Sequence, residues 1–401
     1  MKMRITKTKT KIIKWTKKQI RMKSNKTKHN TNKPYDTNKP YDKTYIITDD
    51  HDDINFEPLR NILEKRYDLM AIDASLPIEK LGRPTFIYFK DTLEDLILKK
   101  KLKKLYNVNT LIFNTLDNRE CIANKLNLYF NMLKLNPTFT NSHMAKSFKL
   151  KVLTPYKPGV FIARPIEIKH GKYIQCGGKD IIIYNDKPGF YKALRLLKKY
   201  KTVLISEYIT NPMLFKIANG AFKFHFRIYF IAAIVNGKYR FEYLDLAPVY
   251  TAKKTYSESN YDNSDIHDTH LKSTLADYFI FKNTKYEMKE NGGFVNSITP
   301  ENTTTLLGDN SIDSDKIWKQ IDTIFKNVAK IYEKEAKVYS NNVNGFYIFS
   351  SYFMITGDNI VKLLEINDMT GINFRDEKIK LEFDKHLFNL IDKIILQSSI
   401  I

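Results

Sequence analysis

The sequence contains few cysteines and no long apolar run, and these absences narrow the class of protein. Two cysteines, Cys121 and Cys176, occur in 401 residues and stand in no metal-ligand spacing. A disulfide framework is therefore excluded, and a reducing compartment is favoured. No stretch of about 18 apolar residues predicts a membrane-spanning helix, and the first 33 residues lack the apolar core of a signal peptide. We expect a cytoplasmic protein.

Negative charge is absent from the N-terminal segment. The formal net charge is +22, and residues 1–33 contribute 13 positive charges with no Asp or Glu, which leaves +9 for the remainder. Residues 1–43 lack an apolar period and contain the tandem hexapeptide TNKPYD, so we predict a disordered basic tail. A solvated tail without a partner and an arm that binds nucleic acid both fit this segment. Because the whole chain is rich in lysine, the positive charge of residues 1–43 is weak evidence for a binding function.

Apolar runs alternate with amphipathic stretches, which predicts a mixed α/β fold. We expect a small α/β domain at 44–118. The Asn236-Gly237 pair between two apolar runs predicts a tight hairpin. Helices are predicted at 57–67, 91–105, 119–135, 190–200, 315–339 and 382–397. Loops are predicted at 255–268 and 283–315.

No Ser-His-Asp or Cys-His arrangement is evident. The polar patterns that do occur suit the binding of an anionic ligand and of a metal cation instead. In VKLLEIND, Glu365 and Asn367 occupy alternate positions of a strand and face the same side. A carboxylate and a carboxamide are the oxygen ligands that Mg²⁺ prefers. An exposed strand end explains the same pair equally simply.

Cations alternate with aromatic residues in FKFHFRIYF. Lys223, His225 and Arg227 share one strand face, which would neutralise phosphates if it lined a cleft. A solvated strand face is the competing interpretation. In ISEYITNP, the segment Glu207-Tyr208-Ile209 leaves a strand and offers backbone groups to a heterocyclic base, although a buried strand fits it too.

A fourth pattern, FIARPIEIKHGKYI, places Arg164 on a strand and Lys172 beside a loop that contains one glycine. Such a loop can cover phosphates through its amides and its lysine. With a single glycine it is a weak phosphate-loop signal taken alone.

These four patterns, in this order, resemble the ATP-grasp superfamily and, within it, the tubulin-tyrosine ligase-like family. The resemblance runs from about residue 120 to 372. NKLNLYFNMLKL is similar to the lysine-bearing helix of that family, and LISEYITNPMLF followed by FKFHFRIYFIAAI is the most specific match. THLKSTL and YFMITGDNIVKLLEIND are similar to two further family segments. The resemblance implies an ATP-grasp fold, in which two antiparallel-sheet subdomains, at 119–210 and 211–401, clasp ATP.

The resemblance also implies roles for individual residues. It implies an ATP-binding set consisting of Arg164, Lys172, Glu207, Tyr208, Ile209 and Lys223. It implies that Lys223, Arg227 and Arg240 act on the acyl-phosphate and substrate, and that Glu365 and Asn367 hold Mg²⁺.

Two positions depart from the family pattern. His225 and Tyr352 stand where the family has Asp, so one metal-binding carboxylate is missing. His267 and His270 border a polar loop, and we expect them to be solvated or structural rather than metal ligands.

The function implied is that of an ATP-dependent enzyme that joins an amino acid to a protein or peptide carboxylate through an acyl-phosphate. ATP and Mg²⁺ are the implied cofactors, and a free amino acid and an acidic protein tail, such as that of tubulin, are the implied substrates. We expect a monomer without a membrane span. Two alternatives stay open: a degenerate nucleotide- or partner-binding module, and a nucleic-acid-binding protein that uses residues 1–43.

Overall fold

The computed structural model describes most of the chain from residue 44 onward. The described residues are 44–48, 56–72, 84–88, 98, 100, 102–103, 109–113, 115–169, 172–175, 180–217, 220–269, 278–281, 287–288, 294–295, 314–336, 344–368 and 377–396. The predicted tail at 1–43, most of the predicted helix at 91–105, and His270 lie outside them, as does most of the predicted loop at 283–315. All described residues belong to one compact unit, Tyr41–Ile401.

The predicted mixed α/β fold is confirmed. The strands are β1 (Thr44–Ile47), β2 (Met70–Ala71), β3 (Phe86–Tyr88), β4 (Leu111–Phe113), β5 (Ser147–Lys149), β6 (Phe161–Lys169), β7 (Lys172–Gln175), β8 (Ile182–Tyr184), β9 (Thr202–Glu207), β10 (Leu214–Ile217), β11 (Gly220–Val235), β12 (Lys238–Tyr243), β13 (Leu246–Thr251), β14 (Tyr278–Phe281), β15 (Glu287–Met288), β16 (Phe294–Val295), β17 (Asn344–Ile355) and β18 (Val361–Asp368). The helices are α1 (Glu57–Tyr67), α2 (Glu120–Ala123), α3 (Lys125–Leu135), α4 (Pro137–His143), α5 (Lys187–Tyr200), α6 (Ser264–His267), α7 (Ser314–Glu335) and α8 (Glu377–Ile391).

Eleven strands form a large mixed sheet in the order β14-β13-β11-β17-β4-β3-β1-β2, with β10 and β12 also paired to β11 and β18 to β17. β11 and β17 are antiparallel neighbours over most of their length. β4 joins β17 in parallel through the pair Asn344↔Leu111. The N-terminal strands therefore continue the sheet of the C-terminal part, and the proposed domain boundaries stay a prediction.

The long strand β11 organises the core because its two faces pack against different helices. Even-numbered residues such as Phe224 and Phe230 pack with Phe325 of α7. Odd-numbered residues from Tyr229 onward pack with Phe383 of α8. This alternation follows from the two-residue period of a strand. Each fully buried aromatic side chain stabilises the fold by about 2 kcal/mol.

Five strands form a small antiparallel sheet in the order β5-β9-β6-β7, with β8 paired to β6. Helix α5 covers one face, where Phe190 and Ala193 contact Phe161. On the opposite face, Leu126 of α3 packs against Leu204. The small sheet therefore has an outer face under α5 and an inner face under α3.

The predicted single helix at 119–135 is wrong in one respect: Asn124 breaks it. The backbone of Asn124 is extended, and its side-chain oxygen accepts from the N–H groups of Leu126 at 3.0 Å and Asn127 at 3.2 Å. An asparagine N-cap satisfies donors that a continuous helix would use otherwise. The break makes Lys125 the first residue of α3.

The Asn236-Gly237 hairpin is confirmed, with φ of +51° and +72° at its two turn residues, as a tight hairpin turn requires. The last predicted helix, at 382–397, begins earlier, at Glu377. Its final turn is a π-helix, Asp392–Leu396. The carboxylate of Asp392 accepts a hydrogen bond from the Tyr67 hydroxyl at 2.6 Å, which ties this turn to α1. Within the described residues, no helix combines the length and apolarity needed to cross a membrane.

Candidate active site

One face of β11 carries cations, as the sequence pattern predicts. Lys223, His225 and Arg227 alternate with Phe224 and Phe226, which belong to the core under α7. Lys223 and His225 are buried as well, so the solvated-face interpretation is wrong for them. A buried cation costs free energy unless neighbouring groups compensate its charge. The residues that surround Lys223 therefore define the site.

Lys223 is held by an aromatic hydroxyl. Its Nζ donates to the Tyr208 hydroxyl at 2.6 Å and lies 4.2 Å from the centre of that ring. The same hydroxyl lies 2.8 Å from Nδ1 of His267. Burial, together with the nearby Arg164, lowers the pKa of Lys223 to about 7, although Asp268 opposes this change. The amine is therefore close to its titration midpoint at neutral pH.

Arg164 connects the small sheet to this group. It stands opposite Leu204 in the β6–β9 ladder, on the inner face of the small sheet. Burial lowers the pKa of Arg164, while the electrostatic influence of Glu365, Tyr208 and Asp268 raises it. These three residues come from β18, from the end of β9 and from the segment after α6. Arg164 therefore lies where the two sheets approach each other.

Glu365 is fully engaged by two donors. Its Oε2 forms an ion pair with Lys125 of α3, and its Oε1 accepts from Nδ2 of Asn367 at 3.1 Å. Glu365 and Asn367 thus face the same side, as their spacing predicts. Burial lowers the pKa of Lys125, Glu365 raises it, and Arg164 lowers it. Lys125 joins α3 to the large sheet through this pair.

Two tyrosine rings enclose the far end of this cationic face. The guanidinium carbon of Arg227 lies 4.3 Å from the ring centre of Tyr250 and 4.4 Å from that of Tyr352. The His225 ring stacks on the same two rings, at 5.0 and 5.3 Å between centres. Burial disfavours the charge of Arg227, but the tyrosines raise its pKa overall. Arg227 is thereby held in one position as a cation.

Tyr352 occupies a central place in this arrangement. It stands opposite Arg227 in the β11–β17 ladder and opposite Glu365 in the β17–β18 ladder. The sheet register therefore puts a phenol ring between the arginine and the carboxylate, at the position where the resemblance expects a second carboxylate.

The other residues of the predicted ATP-binding set lie at the margins. Glu207 is exposed, and its N–H donates to the Lys146 carbonyl at 2.9 Å. Ile209 is half-buried. Lys172 begins β7, but its side chain lies outside the part of the chain that the structure describes.

Arg240 is not brought into the group. It pairs with Ala233 on β11, six residues from Arg227, which corresponds to about 20 Å along the strand. Its guanidinium donates to the Ile394 carbonyl at 2.8 Å. Arg240 therefore connects β12 to the C-terminal turn.

Three residues near the site were not among the predicted site residues: Lys125, His267 and Asp268. Lys125 belongs to NKLNLYFNMLKL, the segment that resembles the lysine-bearing helix of the family. His267 was expected to be solvated or structural rather than a metal ligand. It is buried beside Tyr208 and stacks on Tyr261, with 5.2 Å between ring centres, which fits the structural alternative. The Asn-Lys pair at the start of α3 was the available signal for Lys125, because an N-cap fixes the residue that follows it.

Positive charge exceeds negative charge in this group. Its cations are Lys125, Arg164, Lys223 and Arg227. Its nearby carboxylates are those of Glu365 and Asp268. Because these partly or fully buried cations outnumber the carboxylates, the group favours an anionic ligand that restores neutrality. Phosphate oxygens accept hydrogen bonds well from both lysine and arginine.

The oxygen donors near the cationic group meet the needs of Mg²⁺ only in part. In the described residues, no group of three or more His, Cys, Asp or Glu could hold a metal ion. Glu365 and Asn367 provide one carboxylate and one carboxamide, the least that Mg²⁺ uses when phosphate oxygens complete its shell. These donors therefore fit Mg²⁺ only with a bound phosphate ligand, once Lys125 has released Glu365.

A mixed α/β fold with two sheets and a phosphate-suited cationic group between them is the architecture of an ATP-grasp protein. The family model described as the tubulin-tyrosine ligase family matches residues 105–388, more than two thirds of the chain. The chain belongs to the tubulin-tyrosine ligase family. No significant match was found among curated proteins. Members of this family are ATP-dependent ligases that generally use ATP and Mg²⁺ and act on proteins.

The buried amine of Lys223 predicts a pH-dependent stability. Its pKa is about 7 in the folded chain and about 10.4 in an unfolded one, so the unfolded state binds more protons between these values. Stability of the wild type should therefore rise, relative to Lys223→Met, by about 1 kcal/mol per pH unit above about pH 7. Urea denaturation of both proteins between about pH 6 and pH 9 measures this difference.

The exposed Lys319 of α7 provides the control. Lys319→Met should differ from the wild type by the same small amount at every pH. A difference between wild type and Lys223→Met that is constant over the range would contradict the burial of a titrating amine.

Proposed function

We propose that the chain is an ATP-dependent carboxylate–amine ligase that adds an amino acid to a protein or peptide carboxylate. The single observation that supports it is the cluster of cations where the two sheets meet: Lys125 and Arg164 lie near Glu365, and Lys223 lies near Arg164 and Asp268. Family membership supplies the reaction class. The cluster supplies the charge that a triphosphate needs.

The proposed reaction has two steps, and neither uses a protein nucleophile. An oxygen of the acceptor carboxylate attacks the γ-phosphorus of ATP, the bond to ADP breaks, and an acyl-phosphate forms. The amine of the added amino acid then attacks the acyl carbon, phosphate leaves, and the amine loses a proton to water or phosphate. The protein contributes positions and charges.

Each cation has a distinct part in this proposal. Lys125, Arg164 and Lys223 bind the phosphates, and Lys223 becomes fully protonated when the anion arrives. Arg227, fixed by Tyr250 and Tyr352, stabilises the charge of the transferred phosphoryl group from a preset position.

Mg²⁺, held by Glu365 and Asn367, would screen the phosphate charges. Lys125 changes its partner from Glu365 to a phosphate in this proposal, which frees the carboxylate. The adenine is assigned to the Glu207-Tyr208-Ile209 segment, and Lys172 to the loop over the phosphates. A substrate-binding role for Arg240 stays a prediction, since its guanidinium contacts the Ile394 carbonyl.

A nucleotide-binding module without ligase activity is the second candidate. Tyr352 favours it, because the phenol stands beside Glu365 and cannot contribute a second carboxylate to a metal. Nucleic-acid binding through residues 1–43 concerns a segment outside the described residues.

Nucleotide binding should depend on the inner cations. A non-hydrolysable ATP analogue with Mg²⁺, at about a hundredfold excess over its Kd, should stabilise the chain by about 3 kcal/mol and raise Tm by several degrees. Lys223→Met and Arg164→Met should each lose most of the shift, because both remove a phosphate donor. Differential scanning fluorimetry measures it.

Arg240→Met is the matched control. Arg240, on β12, lies on the same side of the large sheet as Lys223, but its partner Ala233 is far from Lys223 along β11. It should keep the full shift. Absence of a shift in the wild type, or an equal loss in Arg240→Met, would sink the nucleotide site.

Ligation should require all three substrates. With ATP, a panel of amino acids and an acidic peptide acceptor, the wild type should release ADP and form a peptide heavier by one amino-acid residue, as measured by mass spectrometry. Glu365→Gln should reduce the rate by about a hundredfold or more, because the carboxylate charge near the metal is lost. Nucleotide binding without ADP release for any acceptor and amino acid would favour the binding module.

A further inference from the structure

Helix α5 presents an exposed face of one charge sign. Residues 187–201 contain six cations and no Asp or Glu. They are Lys187, Lys192, Arg195, Lys198, Lys199 and Lys201, and all six are exposed. The opposite side of the helix is apolar, with Phe190 and Ala193 packed on the small sheet.

The charge of this face does not follow from the lysine-rich composition of the chain. Helix α7 carries five lysines, but these alternate with Asp315, Asp322, Glu333 and Glu335. Helix α8 has three lysines and three acidic residues. Of α5, α7 and α8, only α5 therefore carries several cations and no acidic residue.

Within the described residues, little neutralises this face. Lys199 pairs with Asp180 at 2.5 Å. In the part of the chain that the structure describes, no ion pair involves the other five cations. Side chains three or four residues apart on a helix have Cβ atoms about 5–6 Å from each other, so their charges lie at separations comparable with the Debye length of about 8 Å at physiological salt. Their mutual repulsion is relieved by an anionic partner.

The face is separate from the nucleotide site. Phe161, under α5, and Arg164 lie on opposite sides of β6, because Phe161 packs with Phe190 while Arg164 and Leu204 face inward. The basic face of α5 therefore points away from the phosphate-binding cations, and a ligand bound there does not reach the reacting groups.

We propose that the exposed face of α5 is an exosite for an acidic polypeptide segment of the acceptor protein. The proposal rests on the proposed function, which makes a protein the acceptor. Charge complementarity selects an acidic segment. Tyr191, which is 54% exposed among these cations, adds an apolar surface that a polypeptide can cover. The exosite holds the acceptor while its target carboxylate enters the site on the other side of the small sheet.

Binding of a fluorescein-labelled oligoglutamate peptide, measured by anisotropy without nucleotide, tests this exosite. The triple variant Lys192→Glu, Arg195→Glu, Lys198→Glu should bind at least about tenfold more weakly than the wild type. The control variant Lys319→Glu, Lys330→Glu, Lys334→Glu changes exposed lysines of α7 by the same charge and should lose much less affinity. A triple glutamine variant of the α5 residues replaces the first variant if that one fails to fold.

Equal losses in the α5 and α7 variants, or no binding of oligoglutamate by the wild type, would overturn the exosite. Tighter binding of an oligothymidylate of equal charge, lost only in the α5 variant, would assign the face to nucleic acid and also overturn it. The nucleotide-induced Tm shift is measured in parallel on the same α5 variant and should be unchanged. If nucleotide does not shift the Tm of the wild type, the result counts against the ligase proposal and not against the exosite.

Discussion

The burial of positive charge where the two sheets meet is the constraint on which the rest of the site depends. Lys223 is buried and donates to the hydroxyl oxygen of Tyr208, and Glu365 accepts from both Lys125 and Asn367. Desolvation makes each of these cations costly, as the lowered pKa values of Lys223 and Lys125 show. A multiply charged anion would offset this cost for all of them together, so this group of cations favours an anionic ligand.

Among the described residues, aromatic rings, rather than carboxylates, contact Arg227. His225 and Tyr352 stack in one column with Tyr250, and Arg227 lies over both tyrosines. Cation–π contacts hold a guanidinium without neutralising it, so Arg227 keeps its full charge for a ligand. Tyr352 stands opposite Glu365 in the β17–β18 ladder, at the position where the resemblance expects an aspartate, so Glu365 has no carboxylate across from it there. The balance between catalysis and simple binding depends on Tyr352.

The sequence predicted the local pattern of the site better than its long-range partners. Alternation in FKFHFRIYF predicted the cationic face of β11, and the spacing of Glu365 and Asn367 predicted their shared side. The Lys125–Glu365 pair joins residues 240 positions apart, and no local period encodes it. The Asn124 break was missed because apolar residues continue on both sides of the cap. Of the two roles expected for His267, solvated or structural, its packing against Tyr208 fits the structural one.

A crystal structure of the chain with Mg²⁺ and a non-hydrolysable ATP analogue tests the central claim most directly. The account predicts phosphate oxygens within hydrogen-bonding distance of Lys125, Arg164 and Lys223, with Lys125 no longer paired to Glu365. A nucleotide bound elsewhere, with the Lys125–Glu365 ion pair intact and no phosphate beside Lys223, would contradict it.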